Sequence, residues 1–253
     1  MKKIFFILGL LIAVNSVVAN DNVKAKDLFE SSKQKLSLKN VHLVLDLETM
    51  DKKGNTKSKV LSVSFGEFNQ EKKVMVEIMA PEKVKGTKIL TTNYLNKKGI
   101  IEIYMPASGK IQKFRASNRN LKLMGSEIPI AQFSSVVEED YTFTLLADKE
   151  INATLCHRIK VQKPQEKEYR IAFISVDKEY LLRVEKYDSK DKMLSLTEML
   201  DYIDVDNSNN KVYPKEINVK NLKSGKSSKM KIRELKFIEK LCVEKFQITE
   251  KKF

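Results

Sequence analysis

Residues 41–48 read VHLVLDLE, and in this stretch the large apolar side chains return at every second position. Side chains point alternately to the two faces of an extended strand, so Val41, Leu43, Leu45 and Leu47 share one face. The other face carries the polar side chains of His42, Asp46 and Glu48. The stretch therefore predicts a half-buried strand with its leucine face on a hydrophobic core.

The same alternation continues almost to the end of the chain. It recurs at 74–78, 101–105, 141–145, 155–159, 171–173, 182–184, 217–219 and 230–232. Polar turns such as Asp51-Lys52-Lys53-Gly54 and Ser224-Gly225-Lys226 separate these runs. Strands joined by tight turns form an antiparallel meander. A sheet of about ten strands curls strongly, which predicts a barrel or half-barrel.

Two segments depart from this rhythm. Residues 22–35 place Ala25, Leu28 and Phe29 at helical spacing and predict an N-terminal helix, with Asp21 or Asn22 as its cap. Residues 119–137 are apolar without alternation, and Gly125 and Pro129 interrupt them. We expect this insertion, as a loop or short helix, to lie over an open end of the sheet.

The first residues are typical of an export signal. Lys2 and Lys3 precede the apolar run 4–14, and Val17-Val18-Ala19 supplies small residues for cleavage. The apolar run is too short to span a bilayer. We expect residues 1–19 to be a cleaved signal peptide and residues 20–253 to form a single domain. Since the residue directly after the cleavage point is Asn20 and not a cysteine, we expect a periplasmic protein that is not lipidated.

Composition argues against several classes of function. The 47 Lys and Arg outnumber the 33 Asp and Glu, for a net charge of +14, but they are spread over nearly every turn. The sequence contains no basic block interleaved with aromatic residues, the pattern typical of single-stranded nucleic-acid binding, so we expect no nucleic-acid partner. A weak attraction to anionic lipid head groups is expected. Only His42 and His157 could serve a histidine-dependent site, and no G-x-S-x-G, clustered metal ligands or phosphate-binding glycine loop occurs. We therefore expect no enzymatic activity, metal or cofactor.

The two cysteines leave two alternatives open. An oxidising compartment permits a disulfide between Cys156 and Cys242. Both could equally remain buried free thiols that pack as small hydrophobic side chains.

Three short motifs resemble a known family in their order and spacing. They are Lys85-Gly86-Thr87, then the run 103–111 (IYMPASGKI), then Met124-Gly125-Ser126-Glu127. The series is similar to that of the outer-membrane lipoprotein-sorting, LolA-like superfamily, and in particular to a branch of poorly characterised exported proteins. Tyr213-Pro214, ahead of a final strand pair, also resembles that branch.

The resemblance implies an unclosed antiparallel β-barrel of about eleven strands, capped by helices or loops. It also implies binding of lipid acyl chains or lipoproteins, an inner-membrane transporter or export complex as a partner, and peripheral contact with a membrane. The founding carriers hold an arginine on an early strand that ties a lid shut, whereas residues 41–48 contain no arginine. We therefore carry over lipid binding in the groove from the resemblance and not the lipoprotein hand-off mechanism.

The residues themselves also point to a groove. One helix and one apolar insertion cannot cover the whole apolar face of such a sheet, and a partly uncovered apolar groove marks a ligand or partner site. We place the lipid-binding groove along Leu43, Leu45, Val76, Ile78, Ile101 and Ile103. The proposed lid comprises Leu123, Met124, Ile128, Ile130 and Phe133. Three alternatives remain open: a fully packed core, a permanently packed plug in place of a lid, and a protein-interaction module without lipid cargo.

Overall fold

A computed structural model describes residues 12–69, 71–94, 99–116, 121–130, 141–206, 211–240 and 242–249, with side chains described from residue 21 and without that of Asp206. Residues 1–11 of the predicted signal peptide lie outside the described residues, and 12–19 are described only as helical backbone. Within the described ranges, no helix is both long enough and apolar enough to cross a membrane.

The fold is mainly β, as predicted, with thirteen antiparallel strands in one unclosed sheet and an N-terminal helix α1 (Ile12–Lys35). In the described part of the chain, strands β6 and β7 each pair on one side only. The strand bounds are β1 (Val41–Met50), β2 (Thr56–Phe68), β3 (Glu71–Ala80), β4 (Lys88–Tyr94), β5 (Ile100–Met105), β6 (Lys110–Arg115), β7 (Thr142–Ile151), β8 (Thr154–Gln162), β9 (Tyr169–Ser175), β10 (Leu181–Tyr187), β11 (Met193–Asp206), β12 (Lys211–Asn221) and β13 (Ser227–Phe237). Short 3-10 helices occupy Glu82–Val84, Leu123–Gly125 and Val243–Phe246.

The chain divides into two compact units. The smaller unit contains residues 1–36 and 139–194, and the larger unit contains residues 37–138 and 195–253. The smaller unit holds α1 and strands β7 to β10, whereas the larger unit holds β1 to β6 and β11 to β13. The expectation of a single domain for residues 20–253 stays a prediction.

In the smaller unit, α1 packs on one face of the strands β7 to β10. Ala25, Phe29 and Ser32 are buried at the i, i+4, i+7 spacing of a helix face. The Phe29 ring lies 5.4 Å from the ring of Phe143 on β7. The helix begins well before Asp21, so the predicted caps are wrong: both candidate residues lie inside a continuous helix.

The opposite face of the smaller unit is covered by long basic side chains. Phe173 on β9 is buried, and the guanidinium carbons of Arg158 and Arg183, on the two neighbouring strands, lie 5.9 and 6.0 Å from its ring centre. Cys156 is buried beside this cluster, and burial raises the pKa of its thiol. Cys156 and Cys242 are both free thiols, and Cys242 is exposed.

In the larger unit, the strand order is β6-β5-β4-β3-β2-β1-β13-β12-β11. The C-terminal segment 242–249 covers one face of this sheet near β2, β3 and β4. Its Phe246 is 1% exposed and packs with Met75, Leu90 and Phe68, whose ring it meets edge-on at 5.1 Å. The opposite face of β1 to β5 is therefore the main candidate surface for binding a ligand.

Candidate functional site

The candidate site is the apolar face of β1 to β5 in the larger unit, called here the inner face. Antiparallel register aligns Leu43, Val63, Val76, Ile89 and Ile103 in one row across these five strands. Side chains in register across neighbouring strands lie close enough to pack against one another. The row is therefore a continuous apolar band.

Two further rows run beside this band. Leu45, Leu61 and Ile78 form one, and Val41, Phe65, Val74, Thr91 and Ile101 form the other. The structure thus brings all six predicted groove residues onto one face. They are Leu43, Leu45, Val76, Ile78, Ile101 and Ile103. Sequence analysis did not assign Leu61, Val63 and Ile89 to this face, although 61–65 alternate as clearly as 41–47.

The inner face is shielded from solvent. Leu43, Leu45 and Ile101 are completely buried, Val76 and Ile78 are nearly so, and Ile103 is half-buried. The groove expected to be partly uncovered is therefore closed in this structure. An acyl chain would need to displace whatever covers these side chains.

Residues 121–130, called here the covering segment, supply buried apolar side chains in the same unit. Leu123, Ile128 and Ile130 are buried, whereas Met124 is half-buried in a left-handed conformation with φ of 45°. Backbone hydrogen bonds of 2.8 Å from Leu123 N to Ile128 O and from Ile130 N to Leu121 O close the segment into a tight loop. As expected, it is not one continuous helix. Phe133 lies outside the described residues.

Polar contacts tether the covering segment to β12 and β13. The backbone amide of Glu127 donates to Ser228 Oγ at 2.8 Å, and the side-chain amide of Asn221 donates to Glu127 Oε2 at 2.8 Å. Lys122 forms an ion pair with the same buried carboxylate. Ser228 points to the same face as Met230, which pairs with Leu47, so the covering segment lies over the inner face at β13.

The ammonium group of Lys59 lies at the end of the inner face. Lys59 precedes Leu61 on the same side of β2 and pairs with Leu47. Its side chain is half-buried, and burial lowers the pKa of its ammonium, with a further contribution from the charge of Lys57. Among the described residues, Lys59 makes no ion pair. An anionic group at this end of the face would find an opposite charge.

The two histidines take part in local contacts. His42 Nδ1 lies 2.9 Å from Ser64 Oγ, and burial lowers the pKa of the imidazole. His157 Nδ1 lies 2.9 Å from the Asp148 carboxylate. In the described ranges, no group of three or more His, Cys, Asp or Glu side chains is arranged to hold a metal ion.

Sequence analysis did not assign Lys59, Asn221 or Ser228 to the site, and it named Glu127 only within the family motif 124–127. Glu127 did give a signal, since it is the one acid in the apolar stretch 121–130. Asn221 and Ser228 lie about a hundred residues further along the chain, and only the strand register brings them to it.

Solved structures share this fold at low sequence identity. A domain from Vibrio parahaemolyticus, assigned to outer membrane lipoprotein sorting, matches with a TM-score of 0.76 at 18% identity over 89% of this chain and 97% of its own. A DUF1329 family protein from Desulfovibrio piger gives 0.77 at 14% identity over 90% and 97%. A LolA superfamily protein from Nitrosomonas europaea gives 0.66 at 15% identity over 88% and 97%.

These likenesses show the fold: an unclosed antiparallel sheet like that of the LolA superfamily protein, in agreement with the predicted resemblance. A family model with the description "Uncharacterized protein" matches residues 70–249, and the chain belongs to that family. A search of curated proteins gives no match.

Proposed function

We propose that this protein is a periplasmic carrier that holds the acyl chains of a lipoprotein or phospholipid against the inner face, for outer-membrane lipoprotein sorting or lipid transport. One observation carries the proposal: the apolar band of β1 to β5 is buried, and a separate loop is tethered by polar contacts at the β12 and β13 side of the same face. The LolA-like fold supports it, since the Vibrio domain of the same fold is assigned to lipoprotein sorting.

Cargo would enter by displacing the covering segment. The buried Leu123, Ile128 and Ile130 would exchange their place on the inner face for acyl methylenes, each of which gains about 0.8 kcal/mol on burial. Because the cargo replaces apolar contacts with apolar contacts, the cost of opening lies mainly in the polar tether of Glu127. Because few contacts of this kind hold the segment, it is a local unit that opens more easily than the sheet.

Lys59 would receive the anionic end of the cargo. It stands beside Leu47 at the margin of the inner face, so a chain lying along β2 would bring a carboxylate or phosphate to its ammonium. A charge-assisted contact of this kind sets the orientation of the chain and adds less to affinity than the methylenes do.

Mass spectrometry of an organic extract of the purified protein tests the proposal. Phospholipid or fatty acid that co-purifies at a stoichiometric ratio supports the carrier function. If the extract is clean and fluorescent fatty acids also fail to bind, the carrier function is wrong.

The alternative function is a periplasmic protein-interaction module of a cell-envelope complex without lipid cargo. The closed state of the inner face favours it, because the protein's own residues bury Leu43 and Leu45 completely. Under this alternative the covering segment is a permanent plug, and hydrogen exchange of residues 121–130 is equal with and without lipid.

Export and the lack of catalysis belong to the same proposal. Cleavage after Ala19 would release residues 20–253 into the periplasm as a binding protein without catalytic activity. The intact mass of the protein recovered from a periplasmic extract tests the cleavage point. A mass that retains Met1 to Ala19 contradicts it.

A further inference from the structure

Two hairpin turns of the larger unit lie side by side at one end of its sheet. Residues 51–55 join β1 to β2, and residues 222–226 join β12 to β13. A side chain at position 225 would place its Cβ 3.4 Å from the Cβ of Lys52, which shows how closely the turns approach. We call these two turns and the strand residues that flank them the lysine tip.

The lysine tip concentrates exposed positive charge, from Lys52, Lys53, Lys57, Lys220, Lys223 and Lys226. In the part of the chain that the structure describes, none of these six side chains forms an ion pair. Asp51 is the acid within the turns, and its carboxylate accepts hydrogen bonds from Lys53 N at 2.8 Å, Asn55 N at 3.0 Å and Asn55 Nδ2 at 2.9 Å. These bonds lower the pKa of Asp51, whose carboxylate shapes the turn.

Two large apolar side chains are exposed among these lysines. Leu222, in the second turn, is 43% exposed, and Met50, at the end of β1, is 41% exposed. Met50 and Lys220 both pair with Ser227, so they flank it in one row of the sheet. The tip therefore presents apolar side chains among several lysines, with Glu48 and Glu198 in the next row of the sheet.

We propose that the lysine tip docks on the surface of an anionic phospholipid bilayer, with Leu222 and Met50 entering the interface. Each lysine near an anionic leaflet is attracted electrostatically to the lipid head groups. This attraction falls off within a Debye length, so added salt weakens it. Apolar side chains that reach the boundary of head groups and acyl chains add burial that salt does not screen. A soluble acidic protein would satisfy the lysines but would leave Leu222 and Met50 without an apolar partner. A bilayer satisfies both.

The same turn carries the tether of the covering segment. Asn221, which holds Glu127, immediately precedes Leu222. Docking would therefore bring the tethered end of the covering segment to the membrane, where a lipid cargo is taken up or released. The docking itself does not require cargo on the inner face.

Fluorescence of single tryptophan variants tests the docking geometry. The chain has no tryptophan, so Leu222→Trp gives a unique reporter, and Phe237→Trp is its control at an exposed apolar position at the opposite end of β13. The vesicles are phosphatidylcholine containing about a third phosphatidylglycerol, which gives an anionic bilayer surface. With these vesicles, the emission of the Leu222→Trp variant shifts to the blue and that of the Phe237→Trp variant does not. Equal shifts in the two variants, or none in Leu222→Trp, overturn the proposal.

Charge variants test the lysines. The triple variant Lys52→Ser, Lys223→Ser, Lys226→Ser should lose vesicle binding by about fivefold per lysine, the effect of one basic residue near an anionic surface. The control removes the same charge elsewhere in the unit, through Lys72→Ser, Lys215→Ser and Lys240→Ser, all exposed, and should bind nearly as wild type. Equal losses in both triple variants would show only a net-charge effect and overturn the proposal. Binding to soluble polyglutamate as tight as to vesicles would also overturn it, in favour of an acidic protein partner.

Discussion

The side-chain amide of Asn221 donates a 2.8 Å hydrogen bond to the buried carboxylate of Glu127. This bond joins the covering segment to the end of β12, across 94 positions of sequence. The Glu127 carboxylate also pairs with Lys122 of its own segment. Loss of Asn221 therefore removes the contact of the Glu127 side chain with the sheet, whereas the carboxylate keeps Lys122 and the Glu127 amide keeps Ser228 Oγ.

Asn221→Ala should loosen the covering segment. A hydrogen bond to a charged group contributes about 1.5–3 kcal/mol, and its loss here destabilises the closed state of residues 121–130. We expect faster amide hydrogen exchange in this segment, and slower exchange again when lipid fills the inner face. The unfolding free energy from denaturant titration should fall by a similar amount, because local opening and global unfolding start from the same closed state.

Asn218→Ala is the matched control for that prediction. Asn218 lies on the same strand and donates a 2.9 Å bond to Glu216, which has no contact with the covering segment in the structure described. Exchange in residues 121–130 should remain at the wild-type rate. If the two variants change it equally, Asn221 has no special part in closing the inner face.

Ile103→Glu should weaken binding of a fluorescent fatty acid and leave the protein folded. Ile103 is half-buried at the margin of the apolar band, so a carboxylate there can reach water. Leu45→Glu is the less informative change, because Leu45 is completely buried and an unpaired carboxylate at this site should unfold the larger unit. Circular dichroism distinguishes the two outcomes. Wild-type affinity in folded Ile103→Glu would exclude this margin of the face as the binding site.

Sequence patterns predicted the strand face well and the polar tether poorly. The period-two alternation of Leu43, Leu45 and their counterparts is set by local geometry, so it identifies a buried face before the fold is known. Strand β2 shows the same alternation at Leu61 and Val63. The structure has thirteen strands where about ten to eleven were predicted. Strand β4 was overlooked because it is buried on both faces and does not alternate, whereas β2 was overlooked although it alternates.

The closure of the inner face could not be predicted from composition. Helix α1 belongs to the smaller unit, and the buried covering segment contributes only three large apolar side chains. Whether those three suffice depends on the register that places Ser228 under Glu127. Such contacts join residues 101 positions apart, and no local pattern encodes them.

The charge on Lys59 should make binding of an anionic cargo depend on pH. Burial lowers the pKa of this ammonium, so it loses its proton at a pH below the ordinary value for lysine. A fatty acid carboxylate stays ionised throughout this range. Affinity should therefore fall as pH rises through the lowered pKa, and titration of a fluorescent fatty acid between about pH 7 and pH 10 measures it.

Lys59→Met removes the charge and keeps most of the length of the side chain. Its affinity for the fatty acid should be lower at neutral pH and flat as pH rises. Between the lowered and the ordinary pKa of Lys59, folded wild type binds fewer protons than the unfolded chain, so the unfolding free energy of wild type rises with pH. The unfolding free energy of the variant should lack this rise. A wild-type pH profile in the variant would show that Lys59 does not meet the cargo.

Phe246 and Gly66 should be energetically coupled. The Phe246 ring is 1% exposed, and a Cβ at position 66 would lie 2.7 Å from its Cζ atom and 2.8 Å from Cε2 of Phe68. Those distances are too short for any contact, and both rings are packed against each other at 5.1 Å. Glycine at position 66 therefore leaves the space that the C-terminal ring fills.

Phe246→Ala should lower the unfolding free energy by about 3–5 kcal/mol, the usual cost of removing a buried phenylalanine. Phe237→Ala, at a phenylalanine that is 59% exposed, should change it by less than about 0.5 kcal/mol. Gly66→Ala should be destabilising in wild type, because the added methyl overpacks a filled site. In the Phe246→Ala background the same methyl enters a vacated space, so its cost should be smaller by about 1 kcal/mol or more, as a double-mutant cycle from urea unfolding would measure. Additive costs would mean that the C-terminal segment does not hold Phe246 against Gly66 in solution.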